Sequence, residues 1–221
     1  MRDYELVKNN YKQDEDLLLR FDYEGEEYHV EMGRYLLIVK NSKNEEYYRM
    51  EVFAYYDCLA FNNGCLYFGD RHGMVHVISM MERREILCLF LNEEAEQFYQ
   101  DHINLFPYSL PDIIKSHELG DYYYLPELHV MNEVTSKLSV SAMHSWKKYV
   151  VFGDLSGRVS FFDASTMKIV KTFKVDGAVS FISDDRLGVM IDFITDYYFD
   201  SPQSLTRYET ANRMYIGLEI D

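Results

Sequence analysis

Proline and glycine are scarce in this sequence, with four prolines and 11 glycines among 221 residues. Long flexible linkers are rich in such residues, so their scarcity argues against separate units joined by linkers. The three cysteines, Cys58, Cys65 and Cys88, are too few and lie in surroundings too apolar for a disulfide-dense secreted scaffold. We therefore expect three reduced thiols in the core of the protein.

Long apolar runs are also missing. The longest run spans about six residues, whereas a membrane-spanning helix needs about 20. The N-terminal region contains no apolar segment of the kind found in a signal peptide. With the cysteine pattern, these features predict an intracellular protein, either cytoplasmic or nuclear.

Positive charge is in short supply, since 22 Lys and Arg stand against 37 Asp and Glu, a net charge of −15. Phosphate backbones and anionic membrane surfaces are bound mainly through clustered Lys and Arg, so we expect neither nucleic acid nor membrane as a partner.

One segment reverses this balance. Residues 137–174, which we call the basic strip, contain seven bases and two acids, +5 in total, which leaves −20 for the remainder. The bases are Lys137, Lys147, Lys148, Arg158, Lys168, Lys171 and Lys174. Either these charges pair with acidic neighbours, or the strip docks an acidic segment of a partner and speeds their encounter.

Catalytic signatures are absent as well. In the stretch GDLSG, Ser156 stands one position away from the serine of a G-x-S-x-G nucleophile elbow. The sequence has no phosphate-binding Gly-rich loop followed by Lys-Ser/Thr, and no H-E-x-x-H. His72 and His76 are four residues apart, but a turn and a strand do not place them on one helical face. We predict no enzymatic activity, no cofactor and no metal site.

What the sequence does contain is a repeat. Tyr and Phe, which favour strands, are abundant at 20 and 14 residues. Residues 57–91 read as four short strands joined by turns, with Asn63-Gly64 as a strong hairpin signal, and residues 140–175 repeat the pattern. Gly69, Asp70 and Gly73 recur 84 positions later as Gly153, Asp154 and Gly157. This offset is twice 42, and about 40–45 residues is the period of a four-stranded propeller blade.

The second copy resembles the latter half of a WD-repeat. The residues that carry this resemblance are Gly153-Asp154, Gly157, Val159, Phe161-Phe162-Asp163, Thr166 and Lys168. Phe162-Asp163 stands where the family has Trp-Asp, while the first copy has Ile78-Ser79 there, and no Gly-His dipeptide precedes either copy. The resemblance implies a divergent β-propeller whose blades are held mainly by apolar packing, because the family's hydrogen-bond network cannot be assembled.

The same period divides the chain into about five blade slots of a single propeller-like domain, 1–221. The slots are 15–56, 57–91, 92–139, 140–176 and 177–221. The middle slot is the weakest, because it combines a helical pattern near 92–105 with three prolines. It is either a degenerate blade with a helical insertion or a long loop between two blades. We thus predict an all-β propeller-like array whose ring either closes or stays open for a partner that completes it.

Adjacent tyrosines, including Tyr47-Tyr48, recur along the chain. Neighbours in a strand point to opposite faces, so one member of each pair is predicted to lie in the core and the other outside. An exposed tyrosine of this kind is a typical interface anchor.

Two function hypotheses follow. The first is a non-catalytic interaction scaffold or adaptor, a subunit of a multiprotein complex. Its candidate partner contacts lie on one rim of the array: Tyr55, Tyr56, Arg71, His72, Leu155 and Ser156. The open edge at 215–220 is the alternative contact surface. The second hypothesis is a small acidic inhibitor or immunity-type protein that masks a basic partner surface, and it predicts a compact α+β monomer.

Overall fold

The computed structural model describes residues 17–33, 36–51, 58–69, 73–91, 139–185, 187–195 and 211–217, with four single positions between 93 and 100. These residues form four antiparallel sheets. Sheet A contains β1 (Leu17–Tyr23), β2 (Glu26–Gly33), β3 (Leu36–Asn41) and β4 (Glu46–Glu51). Sheet B contains β5 (Leu59–Asn62), β6 (Cys65–Gly69), β7 (Met74–Ser79) and β8 (Arg84–Phe90). Sheet C contains β9 (Val140–Trp146), β10 (Tyr149–Asp154), β11 (Arg158–Asp163) and β12 (Lys168–Lys174). Sheet D contains β13 (Ala178–Asp184), β14 (Gly188–Ile194) and β15 (Ala211–Gly217).

Each sheet is a meander in which successive strands pair. The predicted hairpin at Asn63-Gly64 is confirmed, because β5 ends and β6 begins on either side of these two residues. Their φ angles, 47° and 72°, are both positive, as a tight two-residue hairpin requires. Turn chemistry in the sequence therefore sets the strand boundaries.

The repeat of 84 residues is visible in the backbone of sheets B and C. Three turn positions with positive φ recur at this offset: Asn63 and Lys147, Gly73 and Gly157, Arg83 and Met167. Two backbone hydrogen bonds recur at the same offset. The bond from Met80 N to Gly64 O in sheet B corresponds to the bond from Ala164 N to Lys148 O in sheet C. Likewise, the bond from Leu91 N to Gly73 O corresponds to the bond from Val175 N to Gly157 O. The two segments thus fold as the same four-stranded unit.

The sheets pack on one another in chain order through three apolar clusters. Phe21, Val30 and Leu37 of sheet A meet Leu66 and Phe68 of sheet B. Tyr67 and Val77 of sheet B meet Val150, Phe152 and Phe162 of sheet C, and a third cluster joins sheets C and D. All of these side chains are buried, so the core lies between the sheets. The structure is an all-β, propeller-like array, as predicted.

The repeated glycines explain how closely neighbouring sheets approach. A Cβ atom on Gly69 would lie 2.4 Å from Cγ1 of Val140, at the start of β9. A Cβ atom on Gly153 would lie 2.4 Å from Cγ1 of Val179 in β13. Such distances are too short for a side chain, so glycine is required where the first strand of the next sheet crosses.

Sheets B and C pack directly against each other. Asn62 Nδ2 of β5 donates to Ser145 Oγ and to the carbonyls of Lys147 and Tyr149, at 2.9, 2.9 and 3.0 Å. No described strand lies between the two sheets. No described sheet intervenes here, and the two predictions for slot 92–139, a degenerate blade with a helical insertion or a long loop, stay predictions. Most of the slot lies outside the described residues. The predicted helix near 92–105 is represented only by Glu93, Glu96, Gln97 and Gln100, whose backbone is helical.

The prediction for Tyr47-Tyr48 was wrong. A β-bulge between β3 and β4 pairs Val39 with Tyr48 and Lys40 with Glu46, which leaves Tyr47 as the extra residue. Both tyrosines consequently pack against the core between sheets A and B, and the Tyr47 hydroxyl donates to the Met80 carbonyl at 2.7 Å. The other tyrosine pairs and the Tyr122–Tyr124 triplet lie outside the described residues.

None of the three cysteines forms a disulfide, and Cys58 and Cys65 are buried, as predicted, whereas Cys88 is exposed. Cys88 departs from the prediction because β8 is the outermost strand of sheet B. Within the described residues, no helix combines the length and the apolar character that a bilayer crossing requires.

Candidate partner-binding surface

The rim predicted from the sequence is only partly within the described residues. Tyr55, Tyr56, Arg71 and His72 lie outside them. Leu155 and Ser156 form the turn between β10 and β11, where both are half-buried. The Leu155 amide donates to the Ser139 carbonyl at 3.0 Å, and the Ser156 hydroxyl donates to Asp154 Oδ1 at 2.7 Å. These two residues therefore have clear structural roles, and their part in partner binding stays a prediction.

Asp154 holds this turn together. Its Oδ1 atom also accepts from the Arg158 amide at 2.9 Å. The side chain is fully buried, and its Oδ2 atom has no hydrogen-bond partner among the described residues. Burial raises the pKa of Asp154 above its usual range, against the opposing effect of these hydrogen bonds. In the second copy of the repeat, Gly153 thus allows the close approach of the next sheet, and the Asp154 carboxylate closes the turn.

The basic strip is not one uniform surface. Lys148 forms an ion pair with Asp163 at 3.1 Å, and the Lys147 ammonium lies 4.6 Å from the centre of the Trp146 ring. Hydrogen bonds from Ser165, with help from Lys148, hold the pKa of Asp163 well below its usual range. Lys148 is therefore paired with an acidic neighbour, as the first alternative predicts, whereas Lys147 lies against an aromatic ring of the same sheet. Lys137 lies outside the described residues.

The remaining lysines lie on β12, the outer edge strand of sheet C. Six of its seven residues are exposed, including Ile169 and Val170 at 39% and 50%. Lys168, Lys171 and Lys174 form no ion pair with another described residue. One edge of the strand pairs with β11, and no described strand covers the other. This surface, which we call the β12 edge, presents backbone groups, uncompensated positive charge and apolar side chains together.

A bulge aligns two of these lysines. β12 pairs Ile169 with Phe162 and Lys171 with Phe161, so that Val170 is the extra residue. Lys168 and Lys171 consequently point to the same face of sheet C, the face that packs on sheet D. Sheet D has three described strands against four in sheet C, so no described strand of sheet D covers this outer part of the face.

The other outer strands differ in charge. Arg49 of β4 is bound to Glu46, Arg84 of β8 to Glu82, and Arg213 of β15 to Asp192 of the neighbouring strand. β12 has three bases and no acid. Among the described outer strands it is therefore the one with unbalanced positive charge. The lysines were evident in the sequence, but the exposure of Ile169 and Val170 was not predicted from it. The position of KIVKTFK as the last strand of the meander was the signal for exposure.

The predicted alternative, the edge at 215–220, is described as far as Gly217. Tyr215 is 47% exposed, and its hydroxyl donates to Asp185 at 3.1 Å. Next to it, Arg213 makes two hydrogen bonds to Asp192, at 2.6 and 2.8 Å. The Arg213 and Tyr215 side chains of this edge are therefore bonded within sheet D, which makes it a weaker candidate than the β12 edge.

A search with the sequence matches no family model, and no curated protein matches it either. Among solved structures, the chain is similar to Sqt1 of Saccharomyces cerevisiae, with a TM-score of 0.51 and 13% identity. That similarity covers 81% of this chain and 44% of Sqt1, so the chain spans less than half of that protein. It is also similar to the computationally designed Ika4 protein, with a TM-score of 0.51 and 12% identity over 93% of this chain and 94% of Ika4. A weaker likeness, with a TM-score of 0.46 and 9% identity, is to the WD40 repeats of RRP9, over 86% of this chain and 47% of that one.

These likenesses concern the fold alone. The two likenesses with a TM-score of 0.51 agree with the four stacked sheets, which form a propeller-like array. That architecture is all-β, so the α+β fold predicted by the inhibitor hypothesis is wrong for the described residues.

Proposed function

We propose that this protein is a non-catalytic interaction scaffold that binds an acidic, extended segment of a partner protein along the β12 edge. The proposal rests on the combination found on this strand: a backbone edge that no described strand covers, three lysines without an ion pair to a described residue, and two exposed β-branched residues. An uncovered edge of this kind accepts an added strand from another chain.

Each component of the β12 edge has a distinct part in binding. The backbone N–H and C=O groups pair with the added strand and supply affinity without regard to sequence. Lys168 and Lys171, which share a face, select acidic side chains at alternate positions of that strand, because alternate residues point to the same side. Val170 and Ile169 favour apolar residues at the positions of the added strand that lie between the acidic ones. The preferred ligand is therefore a strand in which acidic and β-branched residues alternate.

The structure allows an estimate of the charge contribution. A cross-strand pair of opposite charge contributes about 0.2–1 kcal/mol, and three such pairs about 1–3 kcal/mol. Reversing all three charges replaces attraction with repulsion, so we expect affinity to fall about 10- to 100-fold, since each ~1.4 kcal/mol is tenfold. Added salt screens these charges, so it should also weaken binding of the acidic segment to the wild-type protein.

The test uses an eight-residue peptide of alternating Glu and Val as the probe. Its affinity is measured by fluorescence polarisation, and its site by amide hydrogen exchange. The proposal predicts slower exchange within 168–174 and weaker binding by the variant Lys168→Glu/Lys171→Glu/Lys174→Glu. A matched control, Arg20→Glu/Lys43→Glu/Arg49→Glu, makes the same change in net charge on sheet A and should bind as wild type. Equal weakening by the control, or protection confined to another strand, would refute the proposal.

The same variants test the role in cells. Wild-type protein purified from native cells should bring down a stable set of partners that the β12 variant loses and the sheet A control retains. Retention of every partner by the β12 variant would show that the scaffold uses another surface.

A further inference from the structure

Three side chains with metal-binding atoms meet on the outer half of sheet B. They are His76 of β7 and Glu85 and Cys88 of β8, and their ligand atoms all lie within 4.8 Å of one another. His76 Nδ1 and Glu85 Oε1 are 3.2 Å apart. His76 is mostly buried and Glu85 less so, with 14% and 32% of the side chain exposed, while Cys88 is open to solvent.

The register of the hairpin explains why these residues meet. His76 and Cys88 are direct cross-strand partners, so their side chains point to the same face. In a regular ladder Glu85 would pair with Ser79 and point to the opposite face. The bulge between Val77 and Ile78 pairs Glu85 with Ile78 instead, which turns its carboxylate to the face of His76. The backbone therefore assembles the cluster before any ligand arrives.

Neighbouring side chains hold the cluster in place. The His76 ring stacks on Phe68, with centroids 4.4 Å apart and an angle of 5° between the planes. Phe68 is itself fully buried between sheets A and B. The Met74 sulfur lies 3.8 Å from the Cys88 sulfur, which adds a soft donor beside the thiol. The imidazole is thus fixed on a rigid base, while Cys88 keeps the freedom of an exposed side chain.

We propose that His76, Glu85 and Cys88 form a zinc-binding site. Imidazole nitrogen, carboxylate oxygen and thiolate sulfur are all ligands of Zn²⁺, and three protein ligands leave a fourth position for water or a partner's side chain. Bond lengths of about 2.0–2.3 Å place the ligand atoms of a tetrahedral zinc about 3.3–3.7 Å apart. The 3.2 Å separation of His76 and Glu85 already fits, and rotation of the Cys88 side chain closes the remaining distance.

Binding has a defined proton balance. The Cys88 thiol gives up its proton to solvent as the Zn–S bond forms, and the His76 nitrogen binds in its neutral form. Zinc affinity therefore rises with pH. The metal would link the two outer strands of sheet B through their side chains, at the surface and away from the β12 edge. The sequence pairs His76 only with His72, four residues away, and its cross-strand partners become visible in the strand register.

The experiment uses the full chain, reduced and freed of metal with a chelator. Co²⁺ serves as a spectroscopic probe because its thiolate complexes show a charge-transfer band, and Zn²⁺ is then titrated against it. The proposal predicts one equivalent of metal, a thiolate band that zinc abolishes, and loss of that band in Cys88→Ser. We expect zinc affinity to fall more than about 100-fold in Cys88→Ser, beyond the effect typical of outer-shell changes.

Two further variants keep the test decisive. Glu85→Gln should weaken zinc binding, whereas Glu82→Gln, which changes an exposed acid in the same hairpin, should leave it unchanged. Cys88 and Glu85 are solvent-accessible, so both variants should fold, and circular dichroism checks this. No stoichiometric zinc, equal binding by Cys88→Ser, or equal loss in Glu82→Gln and Glu85→Gln would each overturn the proposal.

Discussion

The close approach of sheet D to Gly153 of sheet C gives a stability prediction that can be worked out in detail. In Gly153→Ala the new Cβ would lie 2.4 Å from Cγ1 and 2.7 Å from Cβ of Val179, about 1 Å inside ordinary contact. Val179 is fully buried, so it cannot move away freely. Overpacking of this kind costs about 1–3 kcal/mol.

A double-mutant cycle separates this clash from other effects of the substitution. Val179→Gly removes three buried carbons at about 0.8 kcal/mol each and adds backbone freedom, for a loss of about 3 kcal/mol. In Gly153→Ala/Val179→Gly the clash is absent, so the double variant should be about 2 kcal/mol more stable than the sum of the single losses.

The assay is urea unfolding, followed by fluorescence of Trp146, which is buried in the cluster between sheets C and D. Gly217→Ala is the control, because its new Cβ would meet nothing closer than 3.9 Å and stability should change by a few tenths of a kcal/mol. Strict additivity in the cycle, or a neutral Gly153→Ala, would refute the packing argument.

Two further predictions concern polar contacts. Asn62→Ala removes an amide that donates to three acceptors of sheet C, and it should cost about 2–3 kcal/mol in the free energy of unfolding, since one buried and two partly buried acceptors lose their partner. A loss below about 0.5 kcal/mol, the lower end for a single hydrogen bond, would show that sheet B does not depend on this contact. Hydrogen bonds from Arg213 lower the pKa of Asp192, so the pair should stabilise the fold above the unfolded pKa of about 3.9 and lose this effect as pH falls through the folded pKa. Asp192→Asn should therefore cost about 1 kcal/mol at neutral pH and little in strong acid, below both pKa values; the same cost under both conditions would contradict the assignment.

Much of the fold could be predicted from local sequence. Asn63-Gly64 marked a hairpin because both residues accept positive φ, and the angles are as expected. The matched glycines Gly69 and Gly153 marked one unit repeated, and both lie where the next sheet crosses closely. Such signals are local, so a single sequence carries them.

Other features depended on contacts between strands. Dividing 84 by 42 placed one blade slot between sheets B and C, but residue counts do not show whether its segment inserts between the two sheets or passes around them. Bulges were also out of reach, because one extra residue in a ladder depends on the partner strand. Bulges turned Tyr47 inward and brought Glu85 beside His76.

The central structural claim is that sheets B and C, the two copies of the repeat, are direct neighbours. Nuclear Overhauser contacts between the Gly69 Hα protons and the Val140 methyl groups test this most directly, because the backbone and side chain meet there within van der Waals distance. The structure predicts a strong contact, matched by one between Gly153 and Val179 at the next interface. Observation of the second contact without the first would mean that sheet C does not pack on sheet B, which would contradict the order of the four sheets.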